Sequence, residues 1–341
     1  MFPYQIENVE TELNKKLMSD FTGERNGFCQ VGPKKWILPV AYRDHAEKYY
    51  SFKPKSDDIW VITYPRSGTT WCQELVWLLN NNFDYDQAAN IPLDKRFPFF
   101  EFSILHSKQF HDEIIEINNN RQEVIDQLAF WRQPGYEWIA SMQSPRHIKT
   151  HLPYSLLPPD LVNVSKTIYV ARNPKDVAVS YYHHNYLLKV HGYIGDFQQY
   201  WNYFQHDLLV YSPYWEHIKE GWERRHEKNV LFLFYEDLVN DLPNNIKKVA
   251  AFLNKSINDE QLDRLVKHLH IDNFRKVVKV HKNIEMDGAI NTRGQGFIRK
   301  GKVGGNPEFT AELLEKADKW IAENLSKTGI HFPEKKLMET N

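Results

Sequence analysis

The chain has 341 residues, enough for a sizeable core, and a formal net charge of −1, which gives no bulk drive toward nucleic acid or an anionic membrane. No apolar run approaches the roughly 20 residues a membrane span needs, and residues 1–16 lack the apolar stretch of a signal peptide. Cys29 and Cys72 are the only cysteines, without metal-ligand or disulfide spacing, so a cytosolic protein with no structural metal is expected.

In chain order, residues 8–19 read as a charged surface helix and 31–40 as short strands, neither carrying chemistry. Asp58-Ile59-Trp60-Val61-Ile62-Thr63 is the apolar, β-branched run of a buried strand. Trp71, Leu75, Leu78 and Leu79 then recur at helical spacing. Between them lies a tight turn, Tyr64-Pro65-Arg66-Ser67-Gly68-Thr69-Thr70. A helix start offers unpaired N–H groups and partial positive charge. Gly68 permits close backbone approach, while Arg66, Ser67, Thr69 and Thr70 add donors, so the turn reads as a phosphate cradle. It lacks the G-K-[ST] ending of the Walker motif. The plainer alternative is an ordinary strand-to-helix turn with Thr69 or Thr70 as N-cap.

Arg96-Phe97-Pro98-Phe99-Phe100-Glu101-Phe102 packs four aromatics around a proline; core filling under a loop is the first reading, one wall of an apolar pocket the sharper one. Residues 108–127 read as helical and 131–138 as a loop. A second strand follows in Arg146-His147-Ile148-Lys149-Thr150-His151-Leu152, closed by Pro153, with Lys149 and His151 on one face and Thr150 on the other. A third, Lys166-Thr167-Ile168-Tyr169-Val170-Ala171-Arg172, runs into Asn173-Pro174, an N-cap and first helical position. That helix carries Ser180; Lys175 and Asp176 at its start read as solvated or capping. Residues 197–209 and 214–223 read as aromatic helices. A fourth strand, Val230-Leu231-Phe232-Leu233-Phe234, ends in Tyr235, and amphipathic helices follow at 243–253 and 259–268. Residues 279–298 form a long irregular segment, read as a lid loop. It leads into Arg299-Lys300-Gly301-Lys302, a basic, glycine-bearing loop suited to wrapping an anion. Residues 309–325 read as a surface helix.

Four strands thus hand polar residues to the loops after their C-terminal ends, where open α/β sheets bind ligands. The cations Arg66, Lys149, Arg172 and those of 299–302 exceed what one phosphate needs, so a ligand with anionic groups at two positions is expected.

At this point the chain resembles the cytosolic sulfotransferases, with some likeness to retinol dehydratase in the Arg of its nucleotide turn. The matching blocks are TYPRSGTTW (63–71), SPRHIKTHLP (144–153), RNPKDVAVSYY (172–182), FLFYED (232–237) and FIRKG (297–301). The resemblance implies one α/β domain over 1–341 with its core at about 50–325, built on a central, mainly parallel sheet flanked by helices, with a P-loop-like phosphosulfate-binding turn. It implies transfer of a sulfuryl group from 3′-phosphoadenosine 5′-phosphosulfate, without a metal, to a hydroxyl or amine of a small, largely apolar acceptor. Phenols and steroid or retinoid alcohols are of that class. By the same resemblance, Arg66 to Thr70 hold the phosphosulfate, and Trp71 and Tyr235 flank adenine. Arg172 and Ser180 bind the 3′-phosphate with Arg299, Lys300 and Gly301. His151 is the base, Lys149 and Arg66 stabilise the leaving group, and Phe99 and Phe102 line the acceptor pocket. His184 stands where many members place a pocket Phe. Arg66 replaces the usual Lys. The family's dimer motif is reduced to Asn306, Thr310, Ala311 and Glu315, so a homodimer is allowed but not required. The competing reading is a catalytically idle carrier of an apolar ligand or nucleotide, in which His151 would be dispensable.

Overall fold

The computed structural model describes residues 1–280, 286–292, 296–298 and 303–334. Three short strands near the chain start, β1 (Ile6–Asn8), β2 (Phe28–Val31) and β3 (Trp36–Pro39), form a small antiparallel sheet, with the helix Thr11–Asp20 between β1 and β2 in sequence. The central sheet is parallel, built from β4 (Ile59–Thr63), β5 (His147–Thr150), β6 (Lys166–Ala171) and β7 (Val230–Phe234) in the order β5-β4-β6-β7. Every residue of β4 is buried, as a parallel strand covered on both faces requires. Alternation divides it between two cores: Trp60 and Ile62 join one, Ile59 and Val61 the other. Tyr169 and Ala171 of β6 follow the first, Ile168 and Val170 the second.

The chain leaves β4 for β5 on one side and then crosses to β6 on the other. The crevice beyond the β4 carboxyl end is therefore the switch point of the sheet. Register aligns the strand ends there: Ile62 pairs with Thr150, Thr63 with Val170, and Ala171 with Phe234. At the opposite end a buried pair anchors β4 to β5, with Arg146 Nε 2.7 Å and a terminal nitrogen 2.5 Å from the Asp58 carboxylate.

Two helices leave the crevice directly, Thr69–Asn80 after β4 and Pro174–Leu187 after β6. The second starts as read, with the Asn173 side chain accepting from Lys175 N and Pro174 in the first turn. Residues 131–138 are not a loop. They hold the end of the helix Gln122–Arg132 and the start of the helix Gly135–Ser141. Pro134 and Gly135 look like breakers in sequence, but Pro134 is an N-cap. Gly135 permits contact with the aromatic stretch, since a Cβ there would lie 2.2 Å from the Phe100 carbonyl oxygen. Asp176 is not solvated: it is buried and accepts from Gly304 N and from Asn306 Nδ2 at 2.8 Å. Thr310 caps the helix Ala311–Thr328 through Leu313 N, so two positions of the reduced dimer motif serve contacts within the chain.

Candidate active site

The turn after β4 is shaped by its backbone. Gly68 has φ 98° and is the N-cap of the helix Thr69–Asn80, with no side-chain cap. Neither Thr69 nor Thr70 caps the helix; both lie inside it, and the first N–H groups meet no side-chain acceptor from the cap. A Cβ on Gly68 would sit 2.5 Å from Tyr235 Cδ2, so glycine is needed for both conformation and space. Arg66 also has positive φ, 68°, uncommon for a non-glycine residue and costly wherever it occurs. Ser67 is fully buried, and its hydroxyl has no hydrogen-bond partner among the described residues. Thr69 Oγ1 lies 2.7 Å from Thr63 Oγ1. An uncapped helix start, an unpaired buried hydroxyl and a cradle that a Cβ would fill all suit a phosphate group.

Around this turn, Arg66, Gly68, Thr69, Thr70, Trp71, Arg172, Ser180 and Tyr235 line one cavity of about 1540 Å³. Trp71 Nε1 donates to the Leu269 carbonyl at 2.8 Å, and the Trp71 and Tyr235 rings meet edge-on, 6.2 Å apart. The Arg172 guanidinium stacks 4.2 Å from the Tyr235 ring and donates to the Arg66 carbonyl at 3.1 Å. The Arg66 side chain donates to Ser180 Oγ at 3.1 Å and to the Phe297 carbonyl at 2.8 Å. Arg299, Lys300 and Gly301 lie outside the described residues, between segments 296–298 and 303–306 that both reach the cavity.

Across the cavity stand Lys149 and His151, on the same side of their strand as read. The His151 Nδ1 lies 2.8 Å from the Thr63 carbonyl oxygen, which can only accept, so Nδ1 carries the proton and Nε2 is left as the basic nitrogen. Burial, followed by the Lys149 charge, holds His151 well below the usual histidine range, which keeps that nitrogen unprotonated. Burial likewise pushes Lys149 down to about 8, partly opposed by Glu101, so the ammonium remains mostly charged at neutral pH. Its Nζ sits 4.2 Å from the Phe99 ring centre.

The segment 96–102 resolves into both of its readings. Phe100 is fully buried core, Phe97 is equally buried but reaches the cavity, and Phe99 and Phe102 line the cavity beside each other, 5.4 Å apart, with Phe99 edge-on to His151 at 5.1 Å. Pro98 O accepts from Lys149 N at 2.9 Å and Phe100 N donates to Lys149 O at 2.8 Å, so this stretch pairs alongside β5. That placement at a sheet edge is where proline is tolerated. Glu101, which sequence reasoning passed over, completes the link. Its carboxylate accepts from Thr150 Oγ1 and from His151 N, each at 2.7 Å. Burial raises its pKa to about 7. An acidic residue inside an aromatic run was the signal that could have found it. His217 supports His151 from behind, with Nε2 2.9 Å from the His151 carbonyl oxygen; nothing in its helix marked it. His184 also lines the cavity, as do His191 and Tyr211.

A parallel α/β sheet with a phosphate-suited turn at its switch point, and an unprotonated histidine and a lysine opposite, is the arrangement expected of a nucleotide-dependent group transferase. The sequence profile of the sulfotransferase domain matches residues 56–329, and the chain belongs to the sulfotransferase family, enzymes of sulfuryl transfer. It is 34% identical over 337 residues to luciferin sulfotransferase of Photinus pyralis, covering 94% of this chain and 86% of that one. It is 38% identical over 297 residues to sulfotransferase 4A1 of Homo sapiens, covering 86% and 89%. Retinol dehydratase, solved with androsterone and the inactive cofactor PAP, superposes with a TM-score of 0.85 at 33% identity, covering 97% and 99% of the two chains. The same protein has been solved with retinol and PAP.

Proposed function

We propose that this enzyme sulfates the hydroxyl (or amine) of a small, largely apolar acceptor, such as a phenol or a steroid or retinoid alcohol, with His151 as general base. The observation that carries the reading is His151 held by the Thr63 carbonyl, its basic nitrogen left free between the phosphate-suited turn and the aromatic wall. Bound in the cavity, 3′-phosphoadenosine 5′-phosphosulfate supplies the sulfuryl group and the 3′,5′-diphosphate leaving group. Ser67, Gly68, Thr69 and Thr70 hold the 5′ end through backbone N–H groups and hydroxyls. Arg172 and Ser180 hold the 3′-phosphate, joined by Arg299, Lys300 and Gly301, and Trp71 and Tyr235 bracket the base. Arg66, already in contact with Ser180, bridges the two anionic ends. His151 takes the acceptor proton as the oxygen attacks, a contribution of about 10²–10⁴-fold. Lys149, with Arg66, stabilises charge growing on the departing oxygen. Phe99, Phe102 and His184 contact the acceptor. Glu101 positions Thr150 and His151 without touching substrate.

An apolar alcohol is favoured because retinol dehydratase, a neighbour over nearly the whole chain, holds retinol or androsterone. We read 1–341 as one domain and 279–298 as a lid. The described parts of that lid bond to the end of the helix bearing His184, by Asn291 N to Leu187 O, and to the turn after it, by Lys189 N to Ala289 O. Both cysteines are buried and unpaired, which suits the cytoplasm.

The test is transfer of labelled sulfate from 3′-phosphoadenosine 5′-phosphosulfate to a panel of phenols and apolar alcohols, with chelator present. Wild type should transfer; His151→Ala should lose about 10²–10⁴-fold in kcat while binding 3′,5′-diphosphoadenosine as before. Transfer retained in the mutant would remove His151 as base.

A further inference from the structure

The acceptor side of the cavity contains polar capacity that the transfer reaction does not use. His184, near the end of the helix Pro174–Leu187, and His191, just beyond it, both line the cavity that holds His151 and Lys149. Their rings lie 5.3 Å apart, and His184 is flanked by Phe297 at 5.5 Å and Tyr181 at 6.1 Å. Burial lowers the pKa of both, that of His191 to about 4 and that of His184 further below its usual range with help from Arg66. Both imidazoles are therefore neutral, and each presents one donor and one acceptor nitrogen. His184 Nδ1 is sealed from solvent and makes no well-formed hydrogen bond among the described residues, the adjacent Asn185 side chain only opposing part of its pKa shift. An unmatched polar atom in such a wall is unfavourable, and a phenyl ring there would leave nothing unmatched.

The charges around the pair narrow what it can receive. Arg66 from the nucleotide turn and Lys149 from β5 are the charged groups acting on His184, and no carboxylate among the described residues contributes to the shift of either histidine. A second ammonium on the acceptor would meet two cations and no counter-charge, whereas an uncharged oxygen group meets a matching imidazole edge.

Resting on the reading of this cavity as a sulfuryl-acceptor pocket, we propose that His184 and His191 form a subsite for a second, uncharged hydroxyl or carbonyl group on the acceptor, distinct from the hydroxyl that is sulfated. The acceptor is then an apolar ring system bearing two oxygen functions. A site built to hydrogen-bond a substrate group discriminates against the analogue lacking it far more strongly than an apolar wall can.

The experiment compares naphthol, the isomeric dihydroxynaphthalenes and an aminomethyl naphthol. Affinity is measured by calorimetry in the presence of 3′,5′-diphosphoadenosine, so no turnover is needed. In wild type, at least one dihydroxy isomer should bind roughly tenfold or more tighter than naphthol, and the aminomethyl compound should bind more weakly than that isomer. His184→Phe should reduce the preference to within about threefold, and His184→Gln, which keeps a donor and an acceptor, should retain most of it. Nucleotide affinity of each variant reports folding. Binding of naphthols without preference, or a preference unchanged in His184→Phe, overturns the subsite alone. Failure of every naphthol to bind the nucleotide complex overturns the acceptor pocket and the subsite together.

Discussion

The two ends of the cavity are made differently. The phosphate-suited turn at the nucleotide end is local: with a glycine at φ 98° and an arginine at φ 68°, it feeds a helix start that a single strand aims into the crevice. Its shape is set by backbone, and some of its side chains are already engaged with one another, as Arg66 is with Ser180. The acceptor end is assembled from β5, the 96–102 stretch, the end of the helix Pro174–Leu187 and segment 286–290. Its surface is aromatic rings and histidines. Under the proposed function, the 5′ end of the co-substrate meets geometry that few substitutions can alter without strain, and the acceptor meets side chains that can change one at a time.

The sharpest way to break this contrast is Gly68→Ala. The added Cβ meets Tyr235 at a left-handed position, so the turn must shift. We expect nucleotide affinity to fall by roughly 10²-fold, from the loss of one or two charge-assisted hydrogen bonds, measurable by calorimetry. An unchanged affinity would show that the turn tolerates rearrangement and is not backbone-determined.

Glu101 ties the 96–102 stretch to the end of β5 within the acceptor end, and its removal should produce a smaller effect with its own signature. In Glu101→Gln one of the two donors, Thr150 Oγ1 or His151 N, faces an amide N–H₂ instead of an oxygen. A fall in kcat of about tenfold is expected, with nucleotide affinity retained and Glu101→Asp partly active. The pH profile discriminates a positioning role from a merely structural one. The groups around the carboxylate are Thr150 and His151 N, with Lys149, Tyr211, Tyr42 and Tyr49 acting through their charge or burial. With Glu101 near 7 and Lys149 near 8, activity should fall as pH drops through about 7 and again as it rises through about 8. His151, held well below its usual range, remains unprotonated across that window. The acid limb should vanish in Glu101→Gln. For stability the sign is opposite: a carboxyl raised from 4.5 to about 7 binds its proton more tightly when folded, so its contribution weakens as pH rises between those values.

The smallest effect should come from one ring of the wall. Phe102→Leu keeps the apolar surface and loses a tilted aromatic contact with Phe99, for about a two- to tenfold rise in acceptor KM and no change in nucleotide affinity. Steady-state kinetics with each substrate varied in turn separates the two.

Some of this was legible in order along the chain. An unbroken β-branched run must be a buried strand, a Gly between it and a helical repeat must be a turn, and alternation alone puts Lys149 and His151 on one face, because each depends on residues within a few positions of one another. The same holds for the Asn173-Pro174 helix start. The phenylalanines between 97 and 102 could not be sorted by sequence, since core and pocket wall demand the same residue type. Pairing of Pro98 and Phe100 with Lys149 decided which rings turned inward. The segment 131–138 read as a loop because Pro134 and Gly135 were judged by their local preferences, whereas Gly135 is required by backbone contact with a stretch 35 positions earlier (135 − 100). Glu101 under the His151 amide, Thr63 fixing the imidazole proton and His217 beneath the strand are contacts across 50, 88 and 66 positions. No local pattern encodes such partners. They exist only once the sheet order has brought β4, β5 and the helices behind them to one crevice, and it is there that the His151 imidazole acquires a fixed proton on Nδ1.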